Sequence, residues 1–88
     1  MSMGAALKAA RAIALATHVV AIELLAACQG VDLLAPLTTS APLAGVLHAV
    51  RRVVPALDRD RPPSPDIDAI VSLIETGIIE RAVSLALR

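Results

Sequence analysis

The sequence lacks phenylalanine, tyrosine and tryptophan, and cysteine occurs only once in its 88 residues. The chain therefore has none of the Phe, Tyr or Trp rings on which nucleobases stack or that cage a quaternary ammonium group. The single cysteine, Cys28, excludes an intrachain disulfide, so a reducing compartment, the cytoplasm, is the expected localisation. Eight basic and eight acidic residues cancel, and no basic stripe of the kind that binds nucleic acid is present.

Aliphatic residues dominate what is present, since 57% of the residues are hydrophobic. Small aliphatic side chains without aromatic ones suit close packing of helices. At this length one domain is the upper limit, and such a chain buries only about 60–65% of its unfolded surface. We therefore expect marginal stability in isolation.

The first third of the chain predicts one long helix. It has no proline, is rich in alanine and leucine, carries a capping hydroxyl at Ser2, and reaches Gly30, where a left-handed residue would end a helix. Its circumference is apolar apart from Thr17, Glu23 and a narrow sector that contains Lys8, Arg11, His18 and Gln29. A helix that is apolar nearly all round belongs inside a larger assembly, so the chain is expected to be incomplete.

A membrane span or a signal peptide is the weaker interpretation of this helix. The uncharged run between Arg11 and Glu23 holds eleven residues, whereas a spanning helix needs about 20. Lys8 and Arg11 precede the run and residues 25–28 imitate a cleavage region, but Glu23 argues against both alternatives. We do not expect a membrane partner; a peripheral membrane helix is a third, weaker interpretation, which vesicle co-sedimentation would test.

The rest of the chain predicts shorter helices and no strand. Pro36 and Pro55 are expected to end helical segments. Ser64 followed by Pro65 predicts the start of a helix, and Gly77 predicts the end of one. The fold class is all-α, one long N-terminal helix followed by two or three shorter helices. The single helical segment, residues 1–88, is expected to be part of a larger fold, with helices over about residues 3–29, 41–54, 65–76 and 78–87.

The charged run at residues 58–61, Asp-Arg-Asp-Arg, has two interpretations. The first is a solvated run whose exposed ion pairs contribute little to stability. The second is an ordered elbow in which Arg61 and one aspartate tie the loop to neighbouring helix ends.

The titratable residues do not form a recognisable site. His18 and His48 lie on different helices without a second ligand at helical spacing, whereas zinc needs three or four converging ligands. Cys28 is expected to be a small buried hydrophobe, and His18 a residue of the helix face. No serine or cysteine has a base nearby, and the glycines form no phosphate loop. We predict no catalytic, cofactor-binding or metal-binding residue.

Glu23 resists a simple account, because it lies among valine, isoleucine and leucine, where an unpaired carboxylate is costly. The first interpretation is a hydrogen bond to an arginine or a helix N-terminus of a neighbouring helix. The alternatives are an acid with a raised pKa that lines a site, or a residue that faces solvent.

Two separated motifs resemble a known family. AIELLAACQGVDL at residues 21–33 and VPALDRDRP at residues 54–62 occur together with SMG at residues 2–4 and PDI at residues 65–67. In order and spacing they resemble the C-terminal part of bacterial histidine ammonia-lyases, which belong to the aromatic amino-acid lyase superfamily. The resemblance covers nearly all of the chain.

The resemblance implies a parent enzyme and a role within it. These lyases are cytoplasmic helical homotetramers that convert L-histidine into urocanate and ammonia. They use a methylidene-imidazolone electrophile that forms from an internal Ala-Ser-Gly. This chain has no Ala-Ser-Gly and no tyrosine, and its matching region follows the family's catalytic glutamate, so no catalytic residue carries over.

The sequence therefore predicts a C-terminal fragment or split subunit of a histidine ammonia-lyase-like protein, structural and non-catalytic on its own. Its expected partners are the remaining part of the lyase or copies of itself, in an oligomer. The alternative is an autonomous helical oligomerisation module without enzymatic activity. Such a module should keep an apolar seam with charged flanks, which Arg11, His18 and Glu23 are expected to interrupt. Histidine as the parent substrate, rather than phenylalanine or tyrosine, follows from the resemblance alone.

Overall fold

A computed structural model describes residues 2–56 and 59–86, and the regular structure in these ranges is helical throughout. The helices are α1 (Met3–Leu33), α2 (Ala41–Arg51), α3 (Ser64–Glu75) and α4 (Ile78–Ala86). The all-α prediction, with one long first helix and shorter ones after it, is confirmed.

Helix α1 begins where the sequence predicts and continues past its predicted end at residue 29. The Ser2 hydroxyl accepts a hydrogen bond from the backbone N–H of Ala5 at 3.1 Å, which confirms the cap. Gly30 does not adopt a positive φ; it lies inside the helix, whose cap is Leu34. Glycine permits a left-handed conformation but does not require one. The extra turn lets Asp32 contact the end of α2, an interaction that the local pattern does not reveal.

Helices α2 and α3 also differ from their predicted bounds. Helix α2 ends at Arg51 rather than near residue 54, because the N–H groups of Val53 and Val54 both donate to the Val50 carbonyl and close a turn. Helix α3 begins with Pro63 as its cap, and the Ser64 hydroxyl makes no capping hydrogen bond. The predicted helix end at Gly77 is confirmed by its φ of 78°.

The core is built from residues of α1, α2, the turn after α2, and α3. Helix α1 packs against α3, α2 packs against α4, and α3 also contacts α4. Val50, Val54 and Ile70 are completely buried at the centre. The remaining core residues are small or aliphatic: Ala21, Cys28, Val46 and Leu73. The molecule measures 52 × 37 × 17 Å and is therefore a thin slab. It is too thin for other helices of the chain to lie on every side of α1.

Helical periodicity in the sequence places Leu43, Val46, Val50 and Val53 on one apolar face of α2. In the structure Val46 and Val50 are buried, whereas Leu43 and Val53 are exposed. On α3 the same periodicity places Ile67, Ile70, Val71 and Ile74 on one face; Ile70 is buried, and Leu73, outside that set, is buried with it. A narrower stripe is covered than periodicity indicates because each helix has few neighbours.

Candidate functional site

The residues that the sequence singled out for chemistry are not brought together. His18 and Glu23 lie exposed on α1, and His48 lies exposed on α2. No group of three or more metal-ligating side chains occurs among the residues that the structure describes. Glu23 makes no hydrogen bond within residues 2–56 and 59–86, so no described helix of this chain supplies the expected partner. Its side chain is exposed, because none of the described helices packs on that side of α1.

A polar contact that the sequence did not predict joins the ends of α1 and α2. The Arg51 guanidinium pairs with the Asp32 carboxylate and donates to the carbonyl oxygens of Val54 at 3.1 Å and Pro55 at 3.3 Å. The Nε of Arg51 is buried without a hydrogen-bond partner among the described residues. No local pattern could reveal this pair, because the turn that follows α1 decides which residues meet.

Cys28 lies beside this ion pair and is buried, as the sequence predicted. Burial raises the pKa of its thiol above the ordinary value of 9.0; the nearby Arg51 opposes this shift, and Asp32 adds to it. A buried thiol with a raised pKa is a poor nucleophile at neutral pH. The thiol therefore contributes packing rather than reactivity.

In the loop before α3, Arg61 is held as the elbow interpretation predicts, although its partner Asp66 lies outside the run, whereas Arg59 and Asp60 are exposed as in the solvated interpretation. The Nε of Arg61 lies 2.9 Å from a carboxylate oxygen of Asp66, in the first turn of α3, and the guanidinium also donates to the carbonyl oxygens of Pro55 and Ala56. Asp58, one of the aspartates considered for this role, lies outside the described residues. Arg61 therefore links the end of the α2 turn to the start of α3.

The largest unusual surface is the N-terminal half of α1, residues 3–16, in which every residue is exposed. Its large side chains are mostly open to solvent: Met3 is 78%, Ile13 67% and Leu15 67% exposed. Helix α1 is long and apolar enough to cross a membrane by length and composition alone, a test that core helices of soluble proteins also pass. Contiguous apolar exposure of this kind marks an interaction surface.

One apolar stripe of this surface lies in line with the face of α1 that packs against α3. In the C-terminal half of α1, residues 17–33, that face includes Ala21, Leu24 and Cys28. Toward the N-terminus the same stripe continues from Ala21 at alternating intervals of four and three residues. Its further members are Thr17, Ala14, Ala10, Leu7 and Met3. No charged residue lies within this stripe; Arg11, His18 and Glu23 lie outside it.

This chain does not contain the residues from which the electrophile of aromatic amino-acid lyases forms. A methylidene-imidazolone requires an Ala-Ser-Gly tripeptide as its precursor, and none of the four glycines of this chain follows a serine. The group therefore cannot form from these 88 residues.

Comparison with known proteins agrees with the motifs. The family model described as "Aromatic amino acid lyase" matches residues 1–52. This range contains α1, the following turn and α2. No solved structure matches the chain.

Curated relatives extend the similarity over most of the sequence. Histidine ammonia-lyase from Caenorhabditis elegans is 45% identical over 85 residues, which cover 94% of this chain and 13% of the relative. Histidine ammonia-lyases from Bos taurus and Rattus norvegicus are each 50% identical over 76 residues, or 84% of this chain and 12% of each relative. The chain thus spans about an eighth of the length of these relatives.

Proposed function

Because this chain belongs to the aromatic amino acid lyase family, we propose that it is the C-terminal helical segment of a histidine ammonia-lyase-like protein. Its role is structural: it supplies helices that complete the helical body of the enzyme. The parent reaction is the conversion of L-histidine into urocanate and ammonia. The chain is cytoplasmic and works in an oligomer, with the remaining part of the lyase or further copies as its partners.

The observation that carries this proposal is the exposed N-terminal half of α1. Full burial of a large aliphatic side chain contributes about 1.5–3 kcal/mol, and Met3, Leu7, Ile13 and Leu15 are all more than half exposed. A helix that normally lies at the centre of a larger protein should expose many large apolar side chains when the rest of that protein is absent, as α1 does. The identity of 45–50% to histidine ammonia-lyases supports that parent.

Catalysis by the chain alone is not expected, because the electrophile cannot form from its sequence. The test is to mix or co-express the chain with a lyase polypeptide that carries the electrophile and lacks this segment, and to measure urocanate formation. We expect activity only with both components. Continued absence of urocanate with a purified, cofactor-bearing partner would contradict the proposal.

A matched pair of variants makes this test specific. Ile13→Asp places a charge on the exposed half of α1, whereas Leu37→Asp places one on a similarly exposed residue of the turn after α1. We expect Ile13→Asp to abolish assembly with the lyase polypeptide and Leu37→Asp to preserve it. Equal effects of the two substitutions would contradict a role for α1 in assembly.

The apolar stripe of α1 favours a second candidate, an autonomous helical oligomerisation module. Its regular spacing from Met3 to Cys28 is that of a helix that pairs along one face. Light scattering combined with far-UV circular dichroism separates the two candidates. A discrete helical dimer or tetramer with a cooperative melt supports the module, whereas weakly folded or aggregated material that a lyase polypeptide rescues supports the segment.

A further inference from the structure

We propose that a groove between α2 and α4 binds an acidic amphipathic helix of another polypeptide. The groove is distinct from the exposed half of α1, because no residue of α1 lines it. The inference does not rest on the proposed function, since it concerns the chemistry of the groove and not the parent enzyme.

The shape of the groove suits a helix. Gly45, Ala49 and Ala82 line it with little side-chain bulk, so that a partner backbone could approach closely. Val53, Ile78 and Leu85 also line it and are 48%, 37% and 66% exposed. The apolar face of an amphipathic helix would cover these side chains, whereas a small anion would leave them in water.

The charged side chains that line the groove are cationic. Arg52 and Arg81 line it, His48 adds an imidazole, and no carboxylate lines it among the described residues. His48 on α2 and Arg52, the cap residue at the end of α2, lie four positions apart, about one helical turn. The guanidinium of Arg81 is held over the end of α3 by a hydrogen bond to the Thr76 carbonyl at 3.2 Å. Carboxylates one turn apart on a partner helix would match this spacing.

A second copy of the exposed half of α1, or of α3, does not supply this partner. The exposed half of α1 carries Lys8 and Arg11 and no acidic residue, so a second copy of it would bring like charges together. Helix α3 is acidic, but Ile70 and Leu73 bury its apolar face in the core. Charge complementarity therefore favours an acidic helix from a different polypeptide.

Two synthetic peptides test the proposal with the full chain. Each has leucines along one helical face and a single tryptophan; one carries glutamate pairs four residues apart, and the other carries lysine at the same positions. Because the protein has no aromatic residue, peptide fluorescence reports binding without background. We expect saturable binding of the glutamate peptide and, under the same conditions, at least about 10-fold weaker binding of the lysine peptide.

Charge reversal in the groove sharpens the test. Arg52→Glu should weaken binding of the glutamate peptide about 10-fold or more and strengthen binding of the lysine peptide, a gain that misfolding could not produce. Arg59→Glu, a reversal at an exposed arginine that does not line the groove, should change either affinity less than about 2-fold. Equal binding of both peptides, no binding of either, or equal effects of the two reversals would overturn the proposal.

Discussion

The two halves of α1 are both largely apolar but have opposite surroundings. In residues 17–33 the helix packs against α3, and Ala21 and Cys28 are buried. In residues 3–16 no described part of the chain covers the helix, although the same apolar stripe continues through Leu7. Helix α3 has only 12 residues, about 18 Å at ~1.5 Å per residue, against 31 residues for α1. The shorter helix ends before it can cover the longer one.

This difference separates local from tertiary stability. The N-terminal half depends on helix propensity and the Ser2 cap, whereas the C-terminal half adds burial and the contact between Asp32 and Arg51. An isolated helical stretch of this length is marginal in water. We therefore expect the two halves to respond differently to substitution, and each prediction below compares them or tests what anchors the packed half.

The largest effect is expected from the same substitution at Ile70, the α3 residue beneath the packed half of α1, and at Ile13 in the exposed half. Ile70→Ala removes a fully buried side chain that packs beneath the C-terminal half of α1 and should lower the free energy of unfolding by about 2–5 kcal/mol. Ile13→Ala, at 67% exposure in the N-terminal half, should change it by less than about 0.5 kcal/mol. Urea unfolding followed by circular dichroism measures both. Equal losses would mean that the N-terminal half is also packed in solution.

The next effect comes from the contact that anchors the packed half. Arg51→Met keeps much of the apolar stem but leaves Asp32 and the Val54 carbonyl without their donor, so the free energy of unfolding should fall by about 1–3 kcal/mol. The matched control is Arg52→Met, which changes an exposed neighbour and should have little effect. If both variants melt alike, Arg51 does not join α1 to α2.

Two glycine-to-alanine substitutions should change the free energy of unfolding in opposite directions. Gly77→Ala forces a side chain onto a residue with a φ of 78° and should destabilise the chain by about 1 kcal/mol. Gly30→Ala replaces a glycine inside α1, where an added Cβ meets no atom within 4 Å, and should stabilise it by about 0.5–1 kcal/mol. Thermal melts give the signs. Destabilisation by Gly30→Ala would place the end of α1 at residue 30 after all.

The smallest effect concerns pH and the Cys28 thiol. Folding raises the pKa of this thiol above 9.0, so the folded state favours the protonated form. The resulting stabilisation is fully present below the ordinary pKa and is lost as pH rises through the folded value. The free energy of unfolding of the native chain should thus decline more steeply in alkali than that of Cys28→Ala. Parallel pH profiles would mean that solvent reaches the thiol.

The sequence alone was enough for the all-α class, the cap at Ser2, the helix end at Gly77 and the burial of Cys28. These features follow from periodicity, capping chemistry and side-chain polarity, which act over a few neighbouring residues. The family resemblance was also readable, because it depends on two motifs and their spacing.

The tertiary structure alone decided which apolar residues are covered and which polar groups meet. Glu23 is exposed because no helix packs beside it, and the pairing of Asp32 with Arg51 depends on the turn between α1 and α2. Helix α1 continues past Gly30 for the same tertiary reason, because the extra turn brings Asp32 to the end of α2. Burial depends on the number and length of neighbouring elements, which no window of local sequence contains.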